Sequence, residues 1–341
     1  MTKTSNPSWN NLIISNPDQG NVFQSAEFAN IKRRQGWLPR FETVNNLAIT
    51  ILEKQVFGLG KLWYIPKGPG ATSVEELARV KPGIESLARK SGVFAVKIEP
   101  EIIKNETNLE QIAQLDLIPV RPIQPNFSTV LLDLSPDLDT IMKNLNQKGR
   151  HAIRRAERDG VTAESVESND QNCQIMYDLL AETASGSFGI RSFDYYREFW
   201  QSFNKAGMGQ LFFARFEGRV VAAAYALNMG SKSTYKDGAS IRERTAYGAS
   251  HLLQWEVVKW SKQQGSTLHD LCGAPPSDQI NNPDHPHYGI GRFKTSFNKS
   301  VTDYVGAYDI VIRPLAYKLW SQIGEKLALR LYYRRHRESY Y

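Results

Sequence analysis

Lys294 stands in the run Tyr288-Gly-Ile-Gly-Arg-Phe-Lys-Thr-Ser-Phe297, directly after Phe293 and close behind the glycine turn at Gly291. An ammonium held in a partly enclosed site stabilises the oxyanion that develops when an amine attacks an ester carbonyl. Phe293 would shield it from water. The same residues also fit a core phenylalanine beside a surface lysine, so the residues alone leave both readings open. No Ser-His-Asp set, nucleophilic cysteine or paired carboxylate presents itself elsewhere in the chain. If Lys294 does chemistry, assisting such an acyl transfer is what this stretch offers.

Three further groups of residues suit anions. Lys148, Arg150, Arg154, Arg155 and Arg158 crowd into one helical stretch, with Arg150, Arg154 and Arg158 on a shared face. Like charges at that spacing repel unless an anion neutralises them, which suits a polyphosphate such as RNA; a solvated basic helix is the other reading. Arg191 and Tyr195, in Gly189-Ile-Arg-Ser-Phe-Asp-Tyr-Tyr196, sit at a loop-to-helix junction that would aim a guanidinium at phosphate. They read equally as packing and surface charge. Lys32, which ends an early helix among the cations Arg33 and Arg34, gives no such signal by itself. Arg242 to Ser250 approximates the glycine-turn anion cradle with which acetyltransferases of the GNAT class hold coenzyme A, and it reads equally as a plain helix start.

The elements that must position these groups can be read from periodicity. Phe23 to Arg34 is helical with Ser25 as N-cap, and two strands follow, Arg40 to Leu52 and Gly60 to Ile65. A capped helix starts at Thr72 and should break or kink at Pro82-Gly83. Val93 to Ile98 and Val130 to Leu134 read as strands, Pro136 to Asn146 and Arg150 to Asp159 as helices ending at Gly160. The second half repeats that rhythm. Helices span Asp170 to Thr183, Tyr195 to Ala206 and Tyr247 to Gln264, and strands span Gly209 to Arg215, Arg219 to Met229, Ser233 to Ala239 and Ser266 to Leu271. A chain of 341 residues exceeds the usual size of one domain. The change of character near residue 148 predicts a boundary there, between two related α/β (α+β) modules.

Composition bounds the partners. The formal charge of +7 favours an anionic one. The two cysteines, Cys173 and Cys272, have no metal-ligand spacing, and His285 and His287 have only Asp284 as a carboxylate neighbour, so no metal is expected. No apolar run approaches the roughly 20 residues of a membrane helix. The opening Met1-Thr-Lys-Thr-Ser-Asn-Pro7 lacks an apolar signal core, which leads to the expectation of a cytoplasmic protein.

Several motifs, taken in order, resemble the FemABX family of aminoacyl-tRNA-dependent peptidyltransferases. They are Gln24-Ser-Ala-Glu-Phe-Ala-Asn-Ile-Lys32 (Phe28 replacing the usual Trp), Tyr64-Ile-Pro-Lys-Gly-Pro69, Gln124-Pro125 with Thr129 to Leu134, Gln147 to Val161, Tyr288 to Lys294, and Tyr304-Val-Gly306. The resemblance spans about Phe23 to Tyr317. It implies two GNAT-like domains in tandem, 1–147 completed by about 314–341, and 148–313, in a compact form without the coiled-coil arm of some members. It implies transfer from aminoacyl-tRNA to an amine of a peptidoglycan precursor, UDP-MurNAc-pentapeptide or lipid II. Lys32 and Arg191 would then bind the precursor's diphosphate with Tyr195 nearby, Tyr235 would line the peptide channel, and Lys294 with Phe293 would stand at the acyl-transfer point. An aminoacyl ester is already activated, so no cofactor is expected; a monomer is expected too. The rivals are an acyl-CoA-dependent transferase, a non-enzymatic RNA-binding protein, and tRNA-dependent transfer to another acceptor. A lipid-linked acceptor would bring the chain to the inner membrane face, which the basic end Arg334-Arg-His-Arg337 suits as well as it suits a solvated terminus.

Overall fold

The structure is a computed structural model; it describes residues 6–184, 189–241, 243 and 246–341, without the side chains of 6–8. The chain divides into two compact units, Met1–Phe127 with Asp303–Tyr341, and Ser128–Thr302.

The first unit opens with helices α1 (Asn6–Ile14) and α2 (Ala26–Arg34), the latter capped by Ser25, whose side chain accepts from the Phe28 amide. Strands β1 (Leu38–Val44) and β2 (Leu47–Val56) follow. One strand was expected where these two stand. Asn45 and Asn46, at φ +46° and +68°, close a two-residue hairpin instead, because asparagine tolerates the left-handed region without a glycine to announce the turn. β3 (Gly60–Ile65), helix α3 (Val74–Lys90), β4 (Val93–Ile98), α4 (Glu106–Ala113) and β5 (Ile118–Val120) complete this stretch. Pro82 does not break α3. Asn45 Nδ2 donates to the Arg79 carbonyl at 2.5 Å, and a Cβ on Gly83 would collide with Val44, so Pro82-Gly83 seats the helix on the hairpin turn. Leu77, Val80, Ile84 and Ala88 of α3 enter the core with the buried β4.

The second unit runs through β6 (Ser128–Asp133), α5 (Leu138–Asn144), α6 (Gln147–Arg158), β7 (Thr162–Val166), α7 (Asp170–Ala184), α8 (Phe193–Lys205), β8 (Gly209–Phe216), β9 (Arg219–Met229) and β10 (Lys232–Ser240). It continues with α9 (Ala249–Gln263), β11 (Leu268–Gly273), α10 (Tyr288–Lys294) and the short β12 (Thr302–Asp303) at the boundary. Its sheet has the order β12-β6-β11-β10-β9-β8-β7, with β10 and β11 parallel. The small residues Ala222, Ala223, Ala224 and Ala226 on β9 let helices approach both faces: α6 and α9 on one, α7 and α8 on the other. Gly149 of α6 lies so close to Ser296 that a Cβ would collide with the Ser296 carbonyl oxygen, which also accepts from the Asn146 amide at 3.1 Å. Gly149→Ala is therefore expected to cost about 1–3 kcal/mol in urea unfolding. An unchanged midpoint would mean that α6 shifts freely.

The chain then returns to the first unit as β13 (Ala307–Val311), α11 (Pro314–Leu319), a π turn (Trp320–Gly324) and α12 (Glu325–His336). β13 sits between β4 and β5 in the sheet order β1-β2-β3-β4-β13-β5. The boundary expected near residue 148 thus falls within the second unit, and the return expected near Pro314 begins at Asp303. The reason is strand pairing. β6 pairs with β11, and β13 fills a slot in the first sheet, whereas the sequence cue near 148 was a change of helix charge.

Candidate active site

The site around Lys294 is built by the irregular end of β11. The register slips between Asp270 and Gly273, and Cys272 takes the left-handed conformation at φ +62°, one that non-glycine residues hold only when their surroundings impose it. Asp270 imposes it: its Oδ1 accepts from the Cys272 amide at 2.7 Å and from the Thr129 hydroxyl, which also stands 3.0 Å from the Cys272 carbonyl oxygen. The twist turns the Gly273 carbonyl to Lys294, whose Nζ donates to it at 2.6 Å.

Lys294 is 7% exposed. Among the described residues, Gly273 O is its single hydrogen-bond acceptor, which leaves most of the ammonium's three-donor capacity unused. Burial pushes its pKa below the ordinary lysine value, with Cys272 and Asp270 pulling the other way. An ammonium kept dry with donors to spare is costly, and such groups cluster where chemistry needs them. The Tyr235 ring lies 6.0 Å from Nζ, and Phe293 packs 6.5 Å from Tyr235, 4.9 Å from His251 and 5.5 Å from Phe297. Burial, and then Asp237, raises the Tyr235 phenol. Gly238 makes room for it, since a Cβ there would collide with the Tyr235 hydroxyl. Phe293, Lys294 and Tyr235 therefore do come together.

Two histidines flank the cluster, both neutral at ordinary pH. Burial, assisted by Lys294, lowers His269 to about 3, and burial alone lowers His251 to about 4. His269 is held at both ring nitrogens, Nδ1 2.7 Å from Ser233 Oγ and Nε2 2.7 Å from Gln254 Nε2. The amide as oriented donates to Nε2, so Nδ1 carries the proton and donates to Ser233.

Arg191 and Tyr195 meet elsewhere. The guanidinium lies over the Tyr195 ring at 4.5 Å, and the Arg191 carbonyl accepts from the Tyr177 hydroxyl at 3.1 Å. Tyr195 neighbours Phe199, over which the Lys236 ammonium stands at 5.2 Å. Lys236 pairs with Asp237 at 3.0 Å, and Trp200 Nε1 donates to the same carboxylate at 2.9 Å. Tyr235 and Lys236 thus turn to opposite faces of β10, the first toward the α9 side and the second toward α8. Sequence reading passed over Lys236-Asp237, and also Asp270; for Asp270 the available signal was a carboxylate inside a mostly buried strand. Lys32 belongs to the first unit, where it is buried, donates to Gln35 Oε1 at 3.0 Å and lies 5.3 Å from the Phe28 ring centre.

The basic helix α6 splits by role. Arg150 Nη1 donates to the Lys143 carbonyl at 2.7 Å and to that of Leu145, closing the end of α5, so it is committed to the fold rather than to an outside anion. Arg155 pairs with Asp159 at 3.2 Å and lies over Tyr247, and Arg158 stands 3.6 Å from Asp159. Arg154 and Lys148 are exposed and have no partner among the described residues. Lys148 lines a cleft of about 280 Å³ with Asn146, Asn281, Tyr288, Arg292 and Ser296. Of the loop from Arg242 to Ser250, Arg242, Arg244 and Thr245 lie outside the described residues. Gly248, at φ +79°, abuts the Ala152 carbonyl of α6, where a Cβ would collide. Among the described residues there is no cluster of His, Cys, Asp and Glu able to hold a metal, and no helix long and apolar enough to cross a membrane.

Comparison with known proteins joins this geometry to a family. The FemAB family matches residues 119–217 and 210–324, together more than half of the chain. Lipid II:glycine glycyltransferases of Staphylococcus epidermidis and Staphylococcus aureus are each 20% identical, over 93% of this chain and 94% of their own length. The crystal structure of FemX superposes with a TM-score of 0.80 at 19% identity, covering 94% of this chain and 99% of that one, which establishes a shared fold.

Proposed function

The chain belongs to the FemAB family, and from that premise we propose that it moves an amino acid from aminoacyl-tRNA to an amine of a peptidoglycan-precursor stem peptide, UDP-MurNAc-pentapeptide or lipid II. It is an aminoacyltransferase, and the glycyl transfer to lipid II named for its staphylococcal relatives supports a precursor of the same kind here. The observation that carries the reading is the buried Lys294 ammonium, with donors to spare beside Tyr235 and Phe293.

The substrate amine attacks the ester carbonyl. Its oxygen takes up negative charge, the C–N bond forms as the ester C–O bond breaks, and the proton shed by the amine ends on the released ribose hydroxyl. Lys294 meets the charged oxygen. Holding amine and ester together supplies much of the remaining acceleration. The two buried histidines are too weakly basic to take the amine's proton at neutral pH. Arg191 over Tyr195 suits a precursor phosphate, and Lys148, Arg154 and Arg292 suit the backbone of the donor RNA.

The roles within α6 are separable by mutation. Arg154→Ala is expected to weaken tRNA binding with an unchanged unfolding midpoint. Arg150→Ala should lower stability by about 1.5–3 kcal/mol through its charge-assisted hydrogen bonds, with little effect on tRNA affinity. Filter binding and urea titration of both variants check this; matching effects from the two substitutions would sink the division.

Transfer of radiolabelled amino acid from a charged tRNA pool tests the reaction itself, with UDP-MurNAc-pentapeptide and lipid II as parallel acceptors. Label on either acceptor supports the proposal and names the acceptor. Label on neither, with labelled acyl-CoA reaching an amine instead, overturns it.

A further inference from the structure

The C-terminal helix of the first unit carries an exposed apolar stripe. Leu315, Leu319, Ile323, Leu327 and Leu331 fall four residues apart and are 83%, 57%, 66%, 51% and 53% exposed. In an unbroken α-helix such positions drift by about 40° per step. The π turn Trp320–Gly324 takes in an extra residue and sets that drift back, prolonging the stripe along one side. The opposite face is tied down. Trp320 is buried against Phe94 at 5.7 Å, the Tyr332 hydroxyl donates to the Gln35 carbonyl at 3.0 Å, and Glu325 accepts from the Tyr341 hydroxyl at 2.6 Å.

Charge flanks the stripe. Lys318, Lys326, Arg330, Arg334, Arg335 and Arg337 are all exposed, while Glu325, the one carboxylate in Pro314–His336, is engaged by Tyr341. A second apolar point stands beside it. Phe57, at the tip of the β2–β3 turn, is 100% exposed. Its neighbour Leu59 packs beside Gly324, where a Cβ would stand 3.6 Å from the leucine Cδ1, and Leu59 O accepts from Arg313 at 3.4 Å.

We infer that this face is a docking surface for an anionic lipid bilayer, with α11 to α12 lying in the interfacial plane and Phe57 inserted beside it. An apolar stripe edged by lysine and arginine on a helix too short and polar to span is the form that binds at a membrane surface, and its cations are drawn to anionic headgroups. A second copy of the chain fits worse, because a two-fold pairing through this stripe would bring the same row of cations against itself. The inference stands apart from the transfer reaction, since vesicle binding needs neither donor nor acceptor. Where both hold, the enzyme works on a surface where a lipid-linked acceptor is concentrated.

Flotation with vesicles of phosphatidylglycerol and phosphatidylcholine tests it. The protein should float with the mixed vesicles at least tenfold more than with phosphatidylcholine alone, and 1 M NaCl should reduce the difference. A triple variant, Leu319→Glu with Ile323→Glu and Leu327→Glu, should lose at least tenfold in vesicle binding, and Phe57→Ser should lose less. Because these side chains are exposed, the circular dichroism of both variants and their transfer to a soluble acceptor should match the parent protein. No flotation with anionic vesicles, or equal flotation of the triple variant, overturns the proposal. So does a concentration-dependent dimer that the triple variant abolishes without any vesicle binding, which would assign the stripe to a second copy.

Discussion

Lys294→Met is expected to cut the transfer rate by about a hundredfold to a thousandfold while the protein stays folded and keeps its affinity for the precursor. Methionine keeps most of the apolar stem and removes only the charge. In the native protein that charge is buried, with Gly273 O as its single acceptor among the described residues. Removing it relieves a desolvation cost, so the unfolding midpoint should hold or rise. A structural lysine would behave differently, losing stability and activity together. Steady-state kinetics and thermal unfolding of the one variant separate the two cases; parallel losses would refute the assigned role. The pH profile supplies a second check with a definite sign. The ammonium is needed charged, and burial lowers its pKa below the ordinary value of 10.5. Transfer should therefore be supported on the low-pH side and fall as pH rises through the lowered value, earlier than an exposed lysine would allow. In Lys294→Met that alkaline limb should vanish from the residual activity.

The second large effect concerns stability in acid. His269 is fully buried and lowered to about 3, against an ordinary value of 6.5, and His251 is lowered to about 4. Between those values and 6.5 the unfolded chain binds protons that the folded chain refuses. Stability is therefore complete above pH 6.5 and is lost as pH falls toward the folded values. For His269 alone the loss is on the order of 4 kcal/mol across the window. His269→Gln should be less stable than the parent protein at pH 7.5, because the Ser233 and Gln254 contacts are disturbed. The gap should narrow or reverse by pH 4. Urea titrations at pH 7.5, 5.5 and 4 measure it, and a constant gap across the three would show that His269 does not titrate on unfolding.

Much of the architecture was legible because it rests on local patterns. The apolar run of Val93–Ile98, the cap at Ser25, the closing glycine at Gly160 and the full span of Arg219–Met229 need only neighbouring residues for their identification. Lys294 with Phe293, and the wider order of motifs, were legible for the same reason. The splitting of Arg40 to Leu52 at Asn45-Asn46 was not, because asparagine adopts the left-handed turn without the composition that marks one. The uninterrupted α3 was not either, because the hairpin that accommodates Pro82-Gly83 is distant in sequence.

The sequence by itself determined which residue types stand where, the sign of the charge, the helix and strand periods, and which lysine stands beside Phe293. Only the tertiary structure decided that Asp270 and Thr129, from different strands, twist Cys272 so that the Gly273 carbonyl holds Lys294. It also decided that Arg150 caps α5 while Arg154 stays exposed, although the two occupy equivalent places in the helical pattern. The physical reason is common to both. Side-chain period reports which face a residue takes on its own element, whereas burial, hydrogen-bond partners and desolvation depend on what another element brings to that face.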